Sequence, residues 1–210
     1  MPVKLVIFDC DGVLFESEQA NIAFYNAVLE RAGEPPLPVD GEAACHALSS
    51  AQLFEKYYGD RPALLARIRE IAQSIDYGPF YPLMKPRPGL REVLEQLRRH
   101  CKTALATNRG KTVSGVLEYF GISDLFDLAV GVLDVERPKP HPDLLVRCLE
   151  AFDVAPPDAL YVGDQEIDER SARAAGVRFV AMGPAAPDGD ARIERIEELL
   201  DLVAGLSRFR

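Results

Sequence analysis

From Leu90 onward the chain alternates short apolar runs with amphipathic stretches, and this alternation limits the fold more than any other feature. The spacing predicts a helix over about 90–100, then a strand over 103–106. A helix over 112–120 precedes a strand near 128–130, and a helix over 143–152 precedes a strand over 159–162. A helix over 169–175 is followed by a strand over 177–181, and a final amphipathic helix covers about 191–206. Apolar strands alternating with helices make a parallel, doubly wound α/β sheet, Rossmann-like in plan. Its first strand lies far upstream, in the run Val3 to Phe8, which reads as buried on both faces and breaks at Asp9-Cys10-Asp11-Gly12.

The segment between that strand and the next breaks the pattern. Ile22, Tyr25, Val28 and Leu29 fall at helical spacing within 18–32, and Gly33 follows as a stop. Pro35-Pro36-Leu37-Pro38 reads as a hinge or loop. Residues 50–75 read as helical in two pieces split near Gly59-Asp60-Arg61-Pro62, with Leu64, Leu65, Ile68 and Ile71 as one apolar stripe. A proline-rich connection at 81–89 leads back. The expected organisation is therefore a core formed by 1–14 with 86–210, interrupted by an inserted helical subdomain at 15–85.

The 210 residues leave room for one domain with such an insertion. A formal net charge of −9 argues against nucleic acid or an anionic membrane as the main partner, though a local basic site for a small anion is compatible with it. No apolar run approaches a membrane span, and the N-terminal residues lack the apolar region of a signal peptide. Cys10, Cys45, Cys101 and Cys148 form no C-x-x-C pair, which points to reduced thiols in a cytoplasmic protein, expected as a monomer or weak homodimer.

Open α/β sheets bind ligands outside the carboxyl ends of their strands. At those predicted ends stand Asp9 and Asp11, then Thr107 and Asn108, then Lys139 in the loop after the third strand, then Asp164 with Asp168 four residues on. The set suits phosphoryl transfer. Asp9 can attack phosphorus and form an aspartyl phosphate. Magnesium prefers oxygen ligands, with Asp9 and Asp164 as its side-chain ligands. Lys139 offsets remaining negative charge, Thr107 offers its hydroxyl to a phosphoryl oxygen, and Asp11 is placed for acid–base work.

With those residues in view, the chain resembles the haloacid dehalogenase superfamily of hydrolases. Four motifs carry the resemblance in the family's order: Phe8-Asp9-Cys10-Asp11-Gly12-Val13, Ala104-Leu105-Ala106-Thr107-Asn108, Arg137-Pro138-Lys139-Pro140-His141-Pro142-Asp143, and Gly163-Asp164-Gln165-Glu166-Ile167-Asp168. The resemblance implies Asp9 as nucleophile and Asp11 as acid/base. It further implies magnesium held by Asp9, the main-chain carbonyl of Asp11 and Asp164, with Asp168 as metal support. Thr107 and the backbone amide of Asn108, together with Lys139, would bind the substrate phosphate. The 15–85 insertion looks like the helical cap of the phosphoglycolate phosphatase-like branch, closing over a small phosphorylated metabolite. The roughly thirty residues between Thr107 and Lys139 are too few for the family's larger alternative cap.

Two departures bear on the substrate: Gln165 where the family often has Ser, and Glu16 where phosphatases of this branch often have Asp. A phosphomutase of the β-phosphoglucomutase type shares the four motifs, but its branch typically carries histidine at the position of Asn21, after the Thr/Ser matching Ser17. Dehalogenases generally lack the aspartate matching Asp11. Phosphonate cleavage would want a cap lysine, for which Lys56 has no evident desolvated pocket. A non-catalytic binding module would have no need of Asp11. Blander roles also fit single residues: Thr107-Asn108 as a helix N-cap, Asp164 and Asp168 as caps of the next helix, and Arg109 as a salt bridge on the rim. Cys45, His46, Ser49 and Ser50 fall in a cap loop that could read a leaving group, and His141 reads as loop packing.

Overall fold

The computed structural model describes residues 3–45 and 48–208. The chain forms two compact units, one of Met1–Phe15 with Pro86–Arg210 and the other of Glu16–Lys85. The short strands β2 (Phe15–Glu16) and β3 (Lys85–Pro86) mark where the chain passes between them.

The first unit is built on a parallel sheet of β1 (Leu5–Phe8), β4 (Lys102–Ala106), β5 (Leu128–Val130), β6 (Ala159–Gly163), β7 (Arg178–Met182) and β8 (Ala191–Ile193). Their spatial order is β5-β4-β1-β6-β7-β8, the doubly wound plan that the alternation predicted. Every residue of β1 is fully buried, because neighbours pair with both its edges and helices cover both its faces. Each such side chain contributes on the order of 1.5–3 kcal/mol of apolar burial.

Side chains alternate across the pleat. Leu5 and Ile7 join Ala104, Ala106 and Tyr161 in a cluster with Leu144, Leu145 and Cys148 of α7 (Asp143–Phe152) and Ala172 of α8 (Glu166–Ala175). On the other face Phe8 meets Phe126 edge to face. There α5 (Leu90–Leu97) packs with α9 (Glu198–Arg208), and α6 (Val113–Tyr119) lies against β5.

The topology sets the location of the site. From β1 the chain builds outward through β4 and β5, then returns to the far side of β1 for β6, β7 and β8, so order reverses around β1. Phe8 is level with Leu105 on one side and Val162 on the other. Asp9, Thr107 and Asp164 therefore all follow strands that end at the same edge.

One expected element is corrected. The helix predicted over 191–206 is shorter, because Ala191–Ile193 is instead the edge strand β8 and the helix begins at Glu198. Only Ile193 of that strand is buried, so three residues carry too little periodicity to tell strand from helix.

The second unit contains α1 (Glu18–Ala32), α2 (Val39–Ala44), α3 (Ser50–Tyr58) and α4 (Pro62–Ser74), followed by a 3-10 turn at Gly78–Leu83. Helix α1 packs on α4 and on the turn, and α3 packs on α4. Of the predicted stripe on α4, Leu65 and Ile68 are buried and Leu64 and Ile71 half-buried. Phe24 stacks near Tyr77 and Phe80, and Tyr25 meets Phe54 edge to face. The Tyr77 hydroxyl donates to Asn21 Oδ1 at 2.9 Å, a neutral pair that satisfies both buried groups.

Candidate active site

Asp9 follows directly on β1, and its backbone amide donates to the Val162 carbonyl, extending the ladder with β6 by one rung. Its side chain is buried at 9% exposure. Beside it, the ammonium of Lys139 is almost wholly enclosed at 1% exposure. Lys139 Nζ lies 2.8 Å from Asp9 Oδ1, 2.7 Å from Asp168 Oδ1 and 3.0 Å from the Tyr161 hydroxyl. The contact with Asp9 has ion-pair distance, but its angle is poor for a hydrogen bond, so Asp9 Oδ1 lacks a well-directed donor. Burial disfavours the ammonium, yet Asp168 and Asp9 outweigh it and hold Lys139 above the ordinary lysine range.

Asp168 is completely buried and serves two purposes. Its Oδ1 meets Lys139 and the Tyr161 hydroxyl at 2.7 and 2.8 Å. Its Oδ2 accepts from the backbone amides of Gln165 and Asp164 at 3.0 and 3.2 Å, which caps the first turn of α8. The capping role suggested by sequence and a role at the site thus coexist in one carboxylate. Asp164 differs. Gln165 Nε2 donates to its Oδ2 at 3.0 Å, while its buried Oδ1 has no hydrogen-bond partner. Gly12, with φ of +76°, permits this placement: a Cβ there would lie 2.1 Å from Asp164 Oδ2.

Thr107 and Asn108 follow β4. Thr107 is buried, and its Oγ1 accepts from the Arg109 amide at 3.2 Å. It does not cap the next helix, which starts at Val113 after Thr112. Asn108 clamps the Lys139 backbone from both sides: Oδ1 accepts from Lys139 N at 3.0 Å and Nδ2 donates to Lys139 O at 3.3 Å. The loop after β4 is thereby tied to the loop bearing Lys139. Ser171 Oγ donates to the His141 carbonyl at 2.9 Å, anchoring the same loop, while His141 itself is exposed.

Asp11 takes a separate partner. Arg109 Nε and Nη2 reach its two carboxylate oxygens at 2.8 and 2.6 Å. The salt bridge expected at the rim is therefore internal: the Arg109 side chain is 6% exposed and that of Asp11 14%. Cys45 donates to the Glu42 carbonyl, and Ser49 caps α3 in a reciprocal arrangement with Gln52. His46 lies outside the described residues. Lys56 is exposed, over the ring of Tyr57.

Three groups at the site escape sequence reasoning: Tyr161, the side chain of Asn108, and the Arg109–Asp11 pairing. Tyr161 sits inside an apolar strand and reads as core. The other two depend on which loops meet.

Four carboxylates, of Asp9, Asp11, Asp164 and Asp168, here face two cations, Lys139 and Arg109. Burial pushes Asp9 up to about 8, against the pull of Lys139 and reinforced by the neighbouring carboxylates. Burial, then Asp168, pushes Asp164 up to about 6. Asp9, Asp164 and Asp168 each offer an oxygen within 4.8 Å of the others. Asp168 is saturated by its four contacts, whereas Asp164 Oδ1 is unmatched. An all-oxygen set with surplus negative charge fits a small divalent cation such as magnesium. Among the described residues no helix is long and apolar enough to cross a membrane.

Known proteins resemble this chain over most of its length. The family model for haloacid dehalogenase-like hydrolases matches residues 6–182. The chain belongs to this family. A relative from Caldanaerobacter subterraneus named as a pyrophosphatase, PpaX, is 31% identical, covering 87% of this chain and 82% of its own. A phosphoglycolate phosphatase from Chromobacterium violaceum is 30% identical, with 96% of each chain covered. The crystal structure of a HAD-superfamily hydrolase, subfamily IA, variant 1, from Geobacter sulfurreducens is 36% identical and superposes with a TM-score of 0.76, covering 96% of each chain.

Proposed function

We propose that this chain is a magnesium-dependent, phosphoglycolate phosphatase-like hydrolase that cleaves a small phosphorylated metabolite through an aspartyl-phosphate intermediate. The observation that carries this reading is the buried Asp9 carboxylate ion-paired at 2.8 Å with an enclosed lysine, beside an unmatched oxygen of Asp164. A structural salt bridge has no use for the surplus carboxylates. A phosphoryl site does, once a cation and a phosphate complete it.

In the first step a carboxylate oxygen of Asp9 forms a bond to phosphorus. The phosphorus–oxygen bond to the leaving group breaks, and its electron pair leaves with that oxygen, which takes a proton from Asp11. In the second step water attacks the same phosphorus, gives its proton to Asp11, and the bond to Asp9 breaks to restore the carboxylate and release phosphate. Lys139, steadied by Asp168 and Tyr161, offsets charge on Asp9 and the phosphoryl oxygens. Thr107 Oγ1 and the Asn108 amide hold the phosphoryl group. Asp9, Asp164 and the Asp11 main-chain carbonyl would hold magnesium, with Asp168 in support, and the ion would supply positive charge that lowers phosphate–carboxylate repulsion. The 16–85 unit serves as the cap that selects the leaving group, and the protein works in the cytoplasm.

The test is phosphate release from a panel containing 2-phosphoglycolate, other small phosphomonoesters and pyrophosphate, with magnesium and with chelator. Release that needs magnesium and falls by at least about a thousandfold in Asp9→Asn is the expected result. Isomerisation of a sugar phosphate without phosphate release, or no turnover on any substrate, would sink the reading.

A further inference from the structure

We infer that Arg109 is a positioning residue for Asp11, fixing the plane of the carboxylate that exchanges protons with the leaving group and with water. The inference rests on the phosphatase reading above and gives Arg109 a role that none of the four motifs assigns to it.

Asp11 stands on a loop one residue before Gly12, whose φ is +76°. A carboxylate there has two free side-chain torsions, and general acid–base chemistry tolerates little error in direction. The guanidinium removes that freedom. Nε meets Oδ2 at 2.8 Å and Nη2 meets Oδ1 at 2.6 Å, so position and plane are both set. A single-point cation would set position alone.

Arg109 is itself held on three sides. Its amide donates to Thr107 Oγ1 at 3.2 Å, its carbonyl accepts from Val132 N at 3.0 Å, and Nη1 reaches Thr112 Oγ1 at 3.5 Å. At Gly131 a Cβ would come within 2.6 Å of that carbonyl, so the backbone there is closely fitted. One residue thus links the threonine that grips phosphate to the carboxylate that handles the proton, across 98 positions of sequence.

The two kinds of leaving group separate this role from a structural one. An alkoxide needs a proton as it departs, whereas 4-nitrophenolate is stable without one. Because kcat/KM reports events up to departure, misplacing Asp11 should lower it for an alkyl phosphate and spare it for 4-nitrophenyl phosphate. Both are measured with magnesium for the unmodified chain, Arg109→Lys, Asp11→Ala and the double variant. Arg109→Lys keeps a buried cation and loses the second point of contact with Asp11, along with the 3.5 Å reach to Thr112 Oγ1, so it is the variant suited to folding. Its expected loss is about tenfold or more on 2-phosphoglycolate and under about threefold on the aryl substrate, a fraction of the 10²–10⁴ typical of general acid–base catalysis. In the Asp11→Ala background the same change should add nothing on the alkyl substrate.

Equal losses on both substrates, no loss on either, or full additivity with Asp11→Ala would overturn the positioning role. Absence of turnover by the unmodified chain on both substrates would overturn the phosphatase reading and this inference with it, an outcome distinguishable because it needs no variant.

Discussion

The two units treat buried polar groups in opposite ways. In the helical unit the polar groups are neutral and matched: Tyr77 donates to Asn21, and Ser49 and Gln52 satisfy one another at the start of α3. At the carboxyl edge of the sheet the groups are charged and unbalanced, with carboxylates outnumbering cations around Lys139 and Arg109. Neutral matched pairs are what packing alone requires, because each costs little once its partner is present. Buried charge in excess costs stability, and a fold retains it where something else is to be bound.

The sharpest test of the contrast is Lys139→Met. It leaves Asp9 and Asp168 buried without their cation, so the first unit should lose about 3 kcal/mol of stability in urea titration, with turnover abolished. A loss under about 1 kcal/mol would mean that the carboxylates neutralise one another by sharing protons, and the contrast would weaken.

The next effect concerns sign. The folded-state value of Asp9, about 8, and that of Asp164, about 6, both lie above the ordinary carboxylate value. Groups raised in this way contribute stability that is complete below the unfolded value and lost as pH rises through the folded one. Without divalent cation, urea midpoints should therefore fall from about pH 4 to about pH 8, and magnesium should flatten the decline. Asp9→Asn cannot ionise, so it should be inactive yet more stable than the unmodified chain at the upper end of that range. A variant less stable there would show that ionised Asp9 is a net structural asset.

The smallest effect belongs to the helical unit. Tyr77→Phe removes one hydroxyl from a neutral buried pair and should cost about 1 kcal/mol, with kcat on 4-nitrophenyl phosphate unchanged. A fall in kcat without loss of stability would break the comparison, since a group assigned to packing would be acting in turnover.

The fold was legible because its strands are apolar throughout and separated by helical periodicity, as in Leu5–Phe8 and Ala159–Gly163. Legibility stopped at β8, an edge strand of three residues with one inward side chain. The candidate site was legible as a set of residues at strand ends, because topology alone brings such ends together. Its wiring was not. Nothing in Tyr161 separates it from the core aromatics around it, yet its hydroxyl bridges Lys139 and Asp168. Nothing near Arg109 in sequence points to Asp11. Pairings between loops depend on three-dimensional register, which no local pattern records.

Asp168 has a consequence for measurement. One of its oxygens holds the amides that open α8, and the other holds the ammonium beside Asp9. Unfolding of the first turn of that helix would therefore carry away the carboxylate that holds the ammonium beside Asp9. Solvent exchange of the Asp164 and Gln165 amides therefore reports on that turn, and through Asp168 on the setting of Lys139, in a chain that has no tryptophan to serve as a probe.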